Sequence, residues 1–167
     1  GLRDIARGRD LMEAMRRLAP RLTVENRVQL RWETFAFEAL DTIEWALNGP
    51  LLPSIAFNDH TSMTMRAYDV PIQDRGFELS PDFSVAALDD ARMKQRTKSK
   101  AERAGLNHED YVALLGDIWT RRADVPDIIT KVAQLGQAAG APMLSHDDTR
   151  SETRAYFRDL GACVAEF

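Results

Sequence analysis

Short strand-patterned stretches alternate with helix-patterned ones along this chain, and that alternation constrains the fold more than any other feature. Residues 27–33 place Val28, Leu30 and Trp32 on one side, the period-two pattern of a strand. Residues 53–57, 142–145 and 162–166 are three further short apolar runs. The stretches around them carry helical spacing. Ile5, Leu11, Met12, Met15 and Leu18 mark residues 2–19, which Ala19-Pro20 ends. Thr34 offers an N-cap before the stripe Ala36, Ala39, Leu40, Ile43, Leu47, and Gly49-Pro50 stops it. After a mixed loop over 62–81, Ser80-Pro81 opens a helix over 82–104. Asn107 caps the next helix, Asp124 and Pro126 open another that Gly140 closes, and 150–160 is the last. The expected order is helix, strand, helix, strand, a helical insertion over about 62–140, strand, helix, strand. Strands alternating with helices argue for parallel βαβ units and an α/β fold. Four strands make half of a (β/α)8 barrel or most of an open doubly wound sheet. Neither a Gly-x-Gly-x-x-Gly turn nor a Gly-rich Lys-Ser/Thr loop is present, which removes both nucleotide-binding fingerprints of the open-sheet folds.

Composition narrows the function classes. With 167 residues, 44% apolar and 29% charged, the chain can bury a core as one domain. A net charge of −4 argues against a nucleic-acid backbone binder. The single cysteine, Cys163, excludes a disulfide framework and a Cys-rich zinc module; its apolar neighbours predict a buried structural thiol. No apolar run approaches the roughly 18 residues of a membrane span, and no signal-peptide pattern opens the chain. The default expectation is a cytoplasmic protein with no membrane or nucleic-acid partner. The chain starts at Gly1 and closes inside the apolar run 162–166, so a fragment of a larger protein is expected.

Chemistry-bearing residues gather at the strand ends. Glu33 follows the first strand, His60 the second, and His146 with Asp147 and Asp148 the third. In parallel α/β folds, residues just past the carboxyl ends of strands converge on one crevice. Imidazole and carboxylate suit zinc or another borderline divalent metal, which lowers the pKa of a bound water to about 7. Each residue also has a bland reading. A strand-end histidine can be a loop hydrogen-bonder, Asp147 and Asp148 can cap the following helix, and His108 reads as a surface or capping residue. The basic stretch 92–103 reads as a solvated helix face before a phosphate-facing one.

Four segments in order carry a family resemblance. Leu30-Arg31-Trp32-Glu33, Phe57-Asn58-Asp59-His60-Thr61, Ser145-His146-Asp147-Asp148-Thr149 and Ala165-Glu166-Phe167 resemble the amidohydrolase-superfamily enzymes of phosphonate metabolism, the PhnM-like proteins. The resemblance spans nearly the whole chain. It implies a partial (β/α)8 TIM barrel, running from about the third strand to the seventh, as a single domain over 1–167. It implies Glu33 as a metal-bridging carboxylate and His60 and His146 as metal ligands. Asp59, Asp147 and Asp148 become residues that orient a ligand or position substrate. The implied cofactor is a divalent metal, zinc before iron or manganese. The implied activity is that of α-D-ribose 1-methylphosphonate 5-triphosphate diphosphatase, hydrolysis of a small phosphorylated substrate with release of pyrophosphate. Basic side chains such as Arg66, Arg75 or members of 92–103 would then hold the phosphates. The superfamily's His-x-His pair and its eighth-strand aspartate, the usual general base, are absent from this sequence. The general base is therefore unassigned, and the chain alone is expected to be inactive. An open half-barrel predicts homo-oligomerisation. Two other readings stay open: an amidohydrolase acting on amide or cyclic amide C–N bonds, and a non-catalytic remnant or interaction module.

Overall fold

Four strands form one parallel sheet in the computed structural model, which describes residues 4–61, 90–146, 148 and 151–166. They are β1 (Gln29–Glu33), β2 (Ser54–Asn58), β3 (Met143–His146) and β4 (Val164–Glu166). Their spatial order is β1-β2-β3-β4, the order of the sequence. The register pairs Glu33 with Asn58, Phe57 with Ser145, and His146 with Glu166. The helices among the described residues are α1 (Ile5–Leu18), α2 (Leu40–Leu47), α3 (Asp90–Ala104), α4 (His108–Trp119), α5 (Val125–Ala139) and α6 (Ser151–Asp159). The chain is thus an α/β protein with a parallel sheet, as its alternating pattern predicts. No described helix is long and apolar enough to cross a membrane.

Strand alternation sorts the sheet into two unlike faces. Leu30, Trp32, Ile55, Phe57 and Met143 meet the helices, where Ile43, Leu47, Leu115, Trp119, Ile129, Val132 and Phe157 complete the core. Phe57 stacks on Phe157 with centroids 5.3 Å apart and meets Trp32 edge-on at 6.0 Å. Phe35 stacks on Trp119 at 5.6 Å. Helix α5 comes close to the sheet at Gly136, where a Cβ would lie 2.7 Å from Met143 Sδ. The same methionine ends against Gly161, whose φ of +97° is open to glycine at little cost. Helix α1 leans on α2 through buried Met12 and through Arg16, whose guanidinium lies 3.9 Å from the Trp45 ring centroid.

The opposite face carries Gln29, Arg31, Glu33, Ala56, Asn58, His146 and Glu166. This face is concave. Gln29 Nε2 donates to Glu166 Oε2 at 2.8 Å, from the first strand to the fourth. By register these residues stand three strands and four residues apart, about 19 Å in a flat sheet. A Gln–Glu pair spans that separation only if twist and curl together bend this diagonal of the sheet over the polar face.

The structure amends several expectations. Thr34 caps no helix: its N–H bonds Asn58 O at 2.9 Å, extending the β1–β2 ladder, and its side chain is buried. A 3-10 turn at Phe37–Ala39 leads into α2 instead. His146 is the last residue of β3, one past the expected run 142–145, because it pairs with Glu166. Asn58 likewise closes β2, and His60 and Thr61 are already helical. Cys163 is exposed, not buried. It precedes the edge strand β4, and Ala162 beside it takes the interior position at 1% exposure. Asn107 does cap α4, accepting from Asp110 N at 2.8 Å, and Gly140 closes α5 in the left-handed region. Arg66, Arg75 and the Ser80-Pro81 cap lie outside the described residues, as does Asp147.

Candidate functional site

The carboxyl end of β1 delivers Glu33 to the concave face, and the turn after β2 is built around it. Glu33 Oε1 accepts from the backbone N–H of His60 at 2.8 Å and of Thr61 at 3.0 Å, and from the Thr61 hydroxyl at 3.2 Å. These N–H groups open a helical turn, where no intrahelical acceptor exists and negative charge is favoured. Glu33 Oε2 accepts from Asn58 Nδ2 at 3.3 Å and lies 3.3 Å from His60 Nδ1.

Asn58 Nδ2 also lies 2.9 Å from His60 Nδ1. An amide nitrogen only donates, so Nδ1 accepts there and the proton of a neutral His60 ring sits on Nε2. Asn58 Oδ1 is buried and has no partner among the described residues.

His146 reaches the same face from the end of β3. Its ring centroid is 6.3 Å from that of His60, at an interplanar angle of 68°. Arg31 Nη2 lies 2.5 Å from His146 Nε2. A guanidinium has no acceptor, so Nε2 carries the lone pair and the neutral ring holds its proton on Nδ1. Glu33, His60, His146 and Arg31 therefore share one face of three adjacent strands.

The aspartates divide differently. Asp59 is half-buried between Asn58 and His60. Asp148 is buried, and its carboxylate accepts from the Ser145 hydroxyl. Arg154 bonds that hydroxyl at 3.1 Å and Ala162 O at 2.6 Å. Ser145 alternates with His146, so this network ties Asp148 to the helix-covered side of β3 and joins α6 to the sheet. His108 is half-buried at the first position of α4.

The donor types, one carboxylate and two imidazoles, suit zinc, iron or manganese. As the side chains are held, no three His, Cys, Asp or Glu groups among the described residues stand close enough to share one ion. Arg31 takes the His146 Nε2 lone pair, and Asn58 donates to His60 Nδ1. Coordination by all three requires Arg31 to withdraw and the His60 ring to turn.

Sequence reasoning passed over Arg31, Asn58, Gln29 and Glu166. The signal was present: the alternation that sets Leu30 and Trp32 inward sets Gln29 and Arg31 on the face of Glu33. Val164 and Glu166 follow the same rule in β4. No family model, curated protein or solved structure matches the chain.

Proposed function

We propose that the sheet is an arc of an amidohydrolase-like (β/α)8 barrel and that its concave face is a hydrolytic metal site for a small phosphorylated substrate. One observation carries the reading: Glu33, His60 and His146 come from the ends of three successive parallel strands and share one concave face, with His60 and His146 ring centroids 6.3 Å apart. Strand order supports it too. A doubly wound sheet reverses its order at a switch point, whereas these four strands run in sequence. So does stagger. The Arg31–His146 bond crosses two strand steps with a displacement of two residues, one residue per step. An eight-stranded barrel with a shear of about 8 has the same stagger.

Glu33, His60 and His146 would hold the cation, zinc first. When bound it supplies positive charge to an oxygen of the scissile group and activates water. Around it, Asn58 and Thr61 fix the carboxylate, and Arg31 brings a positive charge suited to phosphate oxygens. Scission of a phosphoanhydride, with release of pyrophosphate, is the preferred reaction. An amide or cyclic amide is the second substrate class.

Elemental mass spectrometry of the purified chain tests the centre. A metal-to-chain ratio near one that collapses in His60→Ala and in Glu33→Ala supports it. A folded chain whose metal content is indifferent to Glu33, His60 and His146 refutes it and leaves the non-catalytic module. Pyrophosphate release from a triphosphate ester then separates the two substrate classes.

A further inference from the structure

The bond between Arg31 and His146 lies within the proposed centre and occupies a lone pair that a metal would use. We propose that Arg31 is a positioning residue, an internal cation that keeps the His146 imidazole in the tautomer a metal requires and competes with that metal for Nε2. This inference rests on the metal reading above.

Lone pairs fix the roles of the two side chains. Arg31 Nη2 lies 2.5 Å from His146 Nε2, and the guanidinium is donor-only. Its presence puts the ring proton on Nδ1 and the lone pair on Nε2. A divalent ion bound at Nε2 needs the same tautomer. One lone pair serves one partner, so the guanidinium and the ion exclude each other, while their exchange moves no proton on the ring.

Position makes the exchange feasible. Arg31 is exposed, one pleat before Glu33 on β1. Its guanidinium can leave Nε2 for water without breaking the core. It remains a positive charge on the same concave face, and a like charge weakens binding of a cation there. Arg31 therefore preorganises His146 and sets a threshold for metal loading.

The test is titration of the chelator-treated chain with Zn2+ alone, by calorimetry or by competition with a chromophoric chelator. Wild type, Arg31→Met, Arg31→Gln, His146→Ala and Arg31→Met/His146→Ala are compared after circular dichroism confirms their fold. The expected result is Zn2+ binding about tenfold tighter in Arg31→Met and Arg31→Gln than in wild type, within the range for residues that tune metal ligands. The gain disappears in the double variant. A second readout is the long-range 1H–15N spectrum of the metal-free chain: wild-type His146 shows the Nδ1-protonated form, and Arg31→Met shows a mixture of tautomers. Equal Zn2+ affinity in wild type and both Arg31 variants, with His146→Ala weaker, overturns the role of Arg31 and leaves the metal centre standing. Absence of Zn2+ binding in all five proteins overturns the metal reading and this inference together.

Discussion

Replacing Glu33 with alanine tests the construction of the site apart from any metal. The carboxylate joins the end of β1 to the turn after β2, with three donors on Oε1 and Asn58 on Oε2. Hydrogen bonds to a charged group contribute about 1.5–3 kcal/mol each in favourable cases. They do not add fully here, because the Glu33 side chain is 30% exposed and water replaces part of what is lost. The expected cost of Glu33→Ala is about 2–3 kcal/mol. Glu33→Gln keeps one acceptor oxygen and loses the charge, so about 1 kcal/mol is expected. Urea unfolding in the presence of a chelator measures both. The midpoint should fall by about 1 M for the alanine variant at an unchanged slope, given slopes of about 1–3 kcal/mol/M. A midpoint within 0.2 M of wild type (the ~0.5 kcal/mol of an ordinary surface substitution) would refute the claim that this carboxylate holds the turn.

Two further expectations concern the helix-covered side. Phe57 is fully buried between Phe157 and Trp32, so Phe57→Ala should cost about 3–5 kcal/mol. A loss below about 1 kcal/mol in chemical unfolding would contradict the packing. Burial raises the pKa of the Tyr156 phenol above its ordinary 10.0; the Thr130 hydroxyl opposes the shift and Asp127 adds to it. Its folded pKa exceeds the unfolded one, so the stability it contributes is full below about pH 10 and is lost as pH rises beyond that. Melting temperature followed above pH 9 should fall less steeply in Tyr156→Phe, and ultraviolet titration should lose a phase that lies above the ordinary phenol range.

Much of the architecture was legible because each strand states its faces locally. Leu30 and Trp32 alternate with polar neighbours, and Ile55 and Phe57 sit between Gly49-Pro50 and Asn58. These signals need no knowledge of distant residues. What failed depends on pairing. Thr34 reads as a cap until Asn58 O is known to take its N–H. His146 reads as lying just past its strand until Glu166 stands opposite it. Cys163 reads as buried from its neighbours, yet it precedes an edge strand, and nothing local marks an edge. The candidate ligands were legible as strand-end residues. Arg31, the residue that occupies one of them, was not, since its contact with His146 spans 115 positions of sequence.

The pairing register has a consequence for how the sheet comes together. β1 meets β2 with partners 25 residues apart, and β3 meets β4 with partners 20 apart, whereas β2 and β3 meet across 88. Closing the longest of these loops costs about 1.3 kcal/mol more than closing the shortest. Loop closure thus favours pairing within two local halves over pairing along the β2–β3 seam. Arg31–His146 and Gln29–Glu166 both bridge that seam, so the half of the concave face around Glu33 forms locally and the contacts that close it need β2 and β3 to pair.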